Sequence, residues 1–304
     1  MPATALAFSP DGKRLLVGAH GQVRVYSVDS GGLETSVACE FPKISAFAFS
    51  SDASAVFVSG GTPGVSGGVT VLEWPNAKVV GQLTNHTDQA TAVAFNSAAT
   101  LLASAGADGL VQVFHWPEKA RAYRLDGHSG PVLAAAFSPD DELLVTASAD
   151  RSIKVWAAPS GKLRHSFSHH TDIVHCLAFR RQKTNADEPA PVFCASGSQD
   201  KTVRVWQPGI GRMVRIIRGH EGPIFTVEYS PDGARLYSAG QEGIVRVIDA
   251  ESDQILLAWP AHGDWIYSLA VSPGGRVLAT GDWKGIVKLW DVREADAKLK
   301  KVIQ

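Results

Sequence analysis

Short apolar–polar alternations run through the whole chain, each ending in a bulky residue: Val23-Arg-Val-Tyr26, Val69-Thr-Val-Leu72, Val111-Gln-Val-Phe114, Ile153-Lys-Val-Trp156, Val203-Arg-Val-Trp206, Val245-Arg-Val-Ile248 and Val287-Lys-Leu-Trp290. A period of two is the mark of a strand with one buried face, and no helical period competes with it. The terminal bulky residues are spaced 46, 42, 42, 50, 42 and 42 apart, so seven copies fill the chain. Repetition at this spacing means one supersecondary unit used many times, each unit burying its faces against its neighbours.

A second marker keeps phase with the first. His86, His128, His170, His220 and His262 each lie nine residues before Phe95, Phe137, Phe179, Tyr229 and Val271, and Glu40 takes that place before Phe49. Ser9-Pro-Asp-Gly12, Ser138-Pro-Asp-Asp141, Ser230-Pro-Asp-Gly233 and Ser272-Pro-Gly-Gly275 are turn sequences, with proline presetting φ at the second position. Each unit therefore reads as four short strands. The two long intervals come from Gly60 to Gly68, expected as a flexible insertion, and from the polar stretch Arg180 to Pro191. Loops absorb such length at little cost.

The residues Gly127-His128, Asp150 and Lys154-Val-Trp156, with Gly219-His220, Asp200, Arg204-Val-Trp206 and Trp290-Asp291, resemble the WD-repeat family. The resemblance covers essentially all of the chain. It implies an all-β, seven-bladed β-propeller of four-stranded antiparallel blades, at approximately residues 1–38, 39–84, 85–126, 127–168, 169–218, 219–260 and 261–304. It also implies that His128, Thr146, Asp150 and Trp156, and likewise His170, Ser196, Asp200 and Trp206, form structural hydrogen-bond networks. Read alone, a His, a hydroxyl and an Asp invite a hydrolase assignment. The set recurs around the chain as His86, Ser104, Asp108, Phe114, then His220, Ser238, Glu242, Ile248, then His262, Thr280, Lys284, Trp290. A nucleophile needs one special geometry, whereas a structural device recurs. Units one and two lack the His–Asp pair, unit seven has Lys284 in the acid's place, and those three are expected to rely on packing.

Composition narrows the function classes. With 29 basic and 30 acidic side chains there is no excess of Lys and Arg to track phosphates, so no nucleic acid is expected. Cys39, Cys176 and Cys194 have no metal-ligand spacing and are expected as buried apolar side chains. His169, His170 and His175 share no acidic or Cys ligand, so no metal and no cofactor is expected. The glycine stretch precedes a strand and offers no helix N-terminus to a phosphate. Asn85-His86-Thr87 fits the glycosylation pattern, but His86 belongs to the repeat. Residues 1–30 show no signal peptide, and no run approaches the ~20 apolar residues of a membrane helix, so the default expectation is cytoplasmic, with no membrane partner.

In the family, partners commonly sit on the narrow top face, near the start of the inner strand and beside the structural acid. Carried over by offset, those positions are Lys43, Ser45, Gln89, Thr91, Pro131, Leu133, Ile173, His175, Pro223, Phe225, Trp265 and Tyr267, with Ala107, Ala149, Gln199, Gln241 and Trp283 beside the acid. Phe225, Trp265, Tyr267 and Trp283 gather on blades six and seven, with His175 and Leu133 as further candidates. Large aromatics are the residues that anchor interfaces, worth ~2 kcal/mol or more at a hot spot. The face carries no Arg, which disfavours a phosphopeptide and favours an apolar or cationic protein segment. The expectation is a non-catalytic interaction scaffold, either monomeric or one domain of a larger polypeptide. The alternative is a propeller enzyme or small-molecule binder using the central channel, for which the map supplies only His175. The chain opens on an inner strand, Thr4 to Phe8, and closes on a candidate outer strand, Leu299 to Ile303. Blade seven is thus expected to be completed by the chain's own end, without an interlocking strand.

Overall fold

The computed structural model describes residues 2–181, 191–293 and 296–303. It is a seven-bladed β-propeller, each blade a four-stranded antiparallel sheet whose strands follow in chain order from the axis outward. From inner to outer strand, blade one runs from Leu6–Phe8 to Leu33–Ala38, blade two from Lys43–Phe49 to Lys78–His86, and blade three from Ala90–Phe95 to Ala120–Asp126. Blade four runs from Val132–Phe137 to Leu163–Phe167, blade five from Val174–Phe179 to Arg212–Ile217, blade six from Ile224–Tyr229 to Ile255–Pro260, and blade seven from Ile266–Val271 to Lys298–Ile303. No α-helix occurs among the described residues, so none is long and apolar enough to cross a membrane.

The alternation seen in the sequence explains the packing. The second and third strands of each blade are almost wholly buried because both of their faces meet a neighbouring blade. Seven apolar clusters result, one at each interface. Val145, Ile153 and Val155 of blade four, for example, meet Val174, Cys194 and Trp206 of blade five. Each fully buried aliphatic side chain contributes about 1.5–3 kcal/mol, so the ring is held by blade-on-blade burial. Outer strands, with one neighbour only, are largely exposed.

Two features differ from the sequence reading. Gly60 to Gly68 is no flexible insertion: Ala55–Thr62 and Ser66–Glu73 pair in unbroken register from Ala55↔Glu73 to Thr62↔Ser66. Glycine is required there by close approach, since a Cβ on Gly61 would lie 2.8 Å from the Gln89 Cα, and one on Gly67 would lie 2.8 Å from the Gln89 carbonyl carbon. Cys39 and Cys194 are buried, whereas Cys176 is half-buried. Most of the Arg180 to Pro191 insertion lies outside the described residues, and Asn85 is described in its backbone alone.

The seam between blades seven and one closes without a shared strand. Lys298–Ile303 pairs with Val287–Asp291 as the fourth strand of blade seven. Ala3 bridges the seam, its N–H donating to the Asp282 carbonyl at 3.0 Å and its carbonyl accepting from the Ser268 hydroxyl at 2.5 Å. Beneath them Phe8, Leu15 and Val17 pack with Val277, Ala279, Val287 and Leu289.

Candidate functional site

The polar quartets come first, because their wiring is that of a catalytic triad. In blade four His128 Nδ1 lies 2.9 Å from Asp150 and Nε2 lies 2.8 Å from the Thr146 hydroxyl, while Trp156 Nε1 lies 3.0 Å from the same hydroxyl. In blade five the matching distances are 2.7 Å for His170 to Asp200, 2.7 Å for His170 to Ser196, and 2.8 Å for Trp206 to Ser196. An indole N–H can only donate, so the hydroxyl accepts from it and passes its own proton to Nε2, leaving Nδ1–H for the carboxylate. A hydrolase would use this tautomer. Here Thr146 and Ser196 are both 0% exposed, so neither hydroxyl meets a substrate.

Around the ring the network varies. Blade three keeps His86 with Asp108 and Ser104, each at 3.0 Å, but has Phe114 in place of the indole. Blade seven corrects the expectation built on Lys284. Its acid is Asp282, 2.9 Å from His262 Nδ1, and Thr280 accepts from Trp290 at 2.9 Å and bonds His262 at 2.7 Å. Asp282 sits two positions earlier, at the strand end that Ser148 occupies in blade four, yet its carboxylate reaches the same ring nitrogen. Lys284 turns outward to Asp264, 3.3 Å away. Blade six is incomplete: His220 keeps Ser238 at 2.8 Å, but its Nδ1 is buried without a partner. Glu242 instead pairs with Arg246 and accepts the Glu221 and Gly222 N–H groups.

Charge follows this wiring. Burial lowers His128, His170 and His262, partly offset by the facing carboxylate in each case. Burial alone would raise Asp150, but hydrogen bonds from Ser152, His128 and Ser129 outweigh it and hold the carboxyl at about 2. Burial and the Arg246 charge push His220 down to about 4, with Glu242 only partly compensating.

The expected top-face residues owe their direction to one recurrent irregularity. The inner strands of blades four to seven each skip a residue against the second strand, between Val132 and Ala134, Val174 and Cys176, Ile224 and Thr226, and Ile266 and Ser268. The skipped residues are Leu133, His175, Phe225 and Tyr267. A β-bulge leaves its extra residue unpaired and re-aims the side chain, and all four are half-buried at one rung around the axis.

On blades five to seven these residues meet. Phe225 and Tyr267 stack with centroids 4.9 Å apart and planes 5° apart, and His175 meets Phe225 edge-on at 5.1 Å. Trp265 lies 5.9 Å from Phe225, Trp283 lies 5.5 Å from Tyr267, and the two indoles lie 6.4 Å apart. The Trp283 N–H donates to the Trp265 carbonyl at 2.9 Å, which ties the two loops. The indoles remain 40% and 51% exposed. Leu133, on blade four, stands apart from the cluster.

One channel residue was missed. On the innermost strands the rung of Ala7, Ala48, Ala94, Ala136, Ala178 and Ala270 is broken only by Glu228, which is exposed to the channel. Seen in register, one acid in a column of alanines was a legible signal. Although its carboxylate reaches channel water, the chain encloses it, and that enclosure pushes it up to about 7, with Arg181 pulling the other way. His175, lowered by burial, donates its Nε2–H to Gln199 Oε1 at 3.0 Å, with that contact and Asp172 opposing the shift. It lies three rungs above Glu228, about 10 Å at strand rise. Among the described residues no cluster of His, Cys, Asp or Glu could hold a metal.

A family profile described as "WD domain, G-beta repeat" matches residues 2–27, 77–115, 120–157, 161–207, 211–249 and 253–291. Most of blade two lies outside it. "Guanine nucleotide-binding protein subunit beta-1" of Nicotiana tabacum is 33% identical over 116 residues, 36% of this chain and 31% of its own. "Guanine nucleotide-binding protein subunit beta" of Oryza sativa subsp. japonica is 32% identical over 140 residues, 43% and 35% of the two chains. "mRNA export factor GLE2" of Chaetomium thermophilum is 34% identical over 115 residues, 36% and 32%. The matched segments span about a third of these relatives' own lengths.

Proposed function

The chain belongs to the WD-repeat family, and from that premise we propose that it is a non-catalytic scaffold that holds a protein or peptide partner on the top face of blades six and seven. The observation that carries this reading is the joined cluster of Phe225, Trp265, Tyr267 and Trp283, with both tryptophans exposed. Rings already packed against one another lose little conformational freedom on binding, and exposed indole faces suit an apolar or cationic side chain. The printed names of the relatives, a protein "subunit" and an "export factor", accord with work done in assemblies.

Catalysis is disfavoured by placement. The triad-like hydroxyls of Thr146 and Ser196 are sealed in the blades, and His175 Nε2 is already engaged by Gln199, so neither reads as a poised catalytic group. The test is affinity purification from native extract with quantitative mass spectrometry, using the parent chain and the Trp265→Ala/Trp283→Ala variant. Partners should fall at least tenfold in the variant at unchanged melting temperature. Partners retained at full strength would remove this face as the binding surface.

A further inference from the structure

We propose that two copies of this chain associate through the outer strand of blade six, Ile255–Pro260, each adding a strand to the other's sheet about a two-fold axis.

The outermost strand of every blade is a sheet edge, with one row of backbone N–H and C=O groups left unpaired. Such an edge is a template for another strand. Charged side chains are the usual guard, because pairing would strip them of water. Six of the seven outer strands carry an exposed charge: Glu34, Lys78, Arg121, Arg164, Arg212 and Lys298 in blades one to five and seven. The outer strand of blade six reads Ile-Leu-Leu-Ala-Trp-Pro and has none. Ile255 and Leu256 are 40% and 52% exposed, and Ala258 and Pro260 are exposed as well. Pro260 lacks an N–H and confines the pairing to this short stretch.

The same lack of charge selects the occupant. About an axis through Ala258, antiparallel pairing sets Leu257 of each copy against Trp259 of the other. Both side chains lie on the face that packs with Trp290 and Val292 of blade seven, so each cross-strand pair extends an existing apolar cluster. The small alanine stands on the axis, Leu256 meets Pro260, and no charged group loses water along the ladder. A two-fold contact is closed, and each copy has one unguarded edge, so assembly stops at two. Six residues a side fall well short of the ~20–30 of a standard interface. The dimer is therefore weak, with a dissociation constant between about 1 µM and about 1 mM.

The test is sedimentation velocity of the full chain from about 5 µM to about 500 µM. The parent should shift from monomer toward dimer and no further. Ala258→Lys and Leu256→Lys, each placing a charge on the edge, should each raise the dissociation constant at least tenfold. Circular dichroism and melting show whether each variant is folded, and the second answers should the first fail to fold. Leu163→Lys, the same change on the already charged edge of blade four, should leave the equilibrium unchanged. So should Trp265→Ala/Trp283→Ala, so that this contact and the top-face reading stand or fall separately. A monomer at every concentration, species larger than a dimer, or undiminished dimers of the folded edge variants would overturn the proposal. Loss of the dimer in the blade-four or tryptophan variant would do the same.

Discussion

Thr146 accepts the Trp156 N–H and serves His128, and His128 in turn serves Asp150, so each member exists to satisfy the next. Removing one acid leaves a buried imidazole N–H and a backbone N–H without a partner, at about 1–3 kcal/mol. Asp150→Ala and Asp200→Ala should each lower stability by about that amount in thermal melts while leaving affinity for partners captured by the parent chain within twofold. Unchanged melting in both would refute the structural role. Blade seven separates chain position from spatial position: Asp282→Ala should cost about 1–3 kcal/mol and Lys284→Ala less than about 0.5 kcal/mol, as befits an exposed ion pair. Comparable losses for the two would return the acid's role to residue 284. Offsets along the sequence located every histidine, hydroxyl and indole of the complete quartets. They misplaced this one carboxylate because the network constrains where an oxygen lies, and two backbone positions can deliver it there.

Strand number and order were legible for a simple reason. A blade buries both faces of its middle strands, so apolar periodicity survives in every copy, even in blade two, where the polar quartet is absent. The bulges were less legible, because they follow from register, not residue type; only their consequence, a line of solvent-facing residues at matching offsets, could be inferred. The glycine stretch was misread because glycine marks both flexible loops and places where backbones nearly touch, and only the neighbour distinguishes them. Here the neighbour is the loop entering blade three, with Asp88 also accepting the Gly64 N–H at 2.6 Å. Gly67→Ala should destabilise by about 1–3 kcal/mol through forced displacement of that loop. A flexible hairpin would tolerate or even gain from the same change, so a neutral or raised melting temperature would contradict the packed arrangement.

At the scale of the whole ring, the buried histidines and one channel carboxylate respond to pH in opposite senses. His128, His170, His175, His220 and His262 all titrate below their ordinary 6.5 in the fold. Their contribution is intact above that value and is lost as pH falls toward the folded values, about 4 for His220. Glu228 acts in the reverse sense: its carboxyl is raised from 4.5 to about 7, so the fold favours the neutral form and loses that advantage as pH climbs between those limits. The ring should therefore be weakened on the acid side by its histidines and, more mildly, on the neutral side by one channel carboxylate. Glu228→Gln removes the second effect alone. Because the group still reaches water, the gain at pH 8 should be modest, a rise of about 1–3 °C in melting temperature, while at pH 4 parent and variant should melt together because glutamate is then neutral in both folded and unfolded chains. A shift of equal size at both pH values would mean that amide packing, not charge, sets the difference, and that the channel does not perturb this acid.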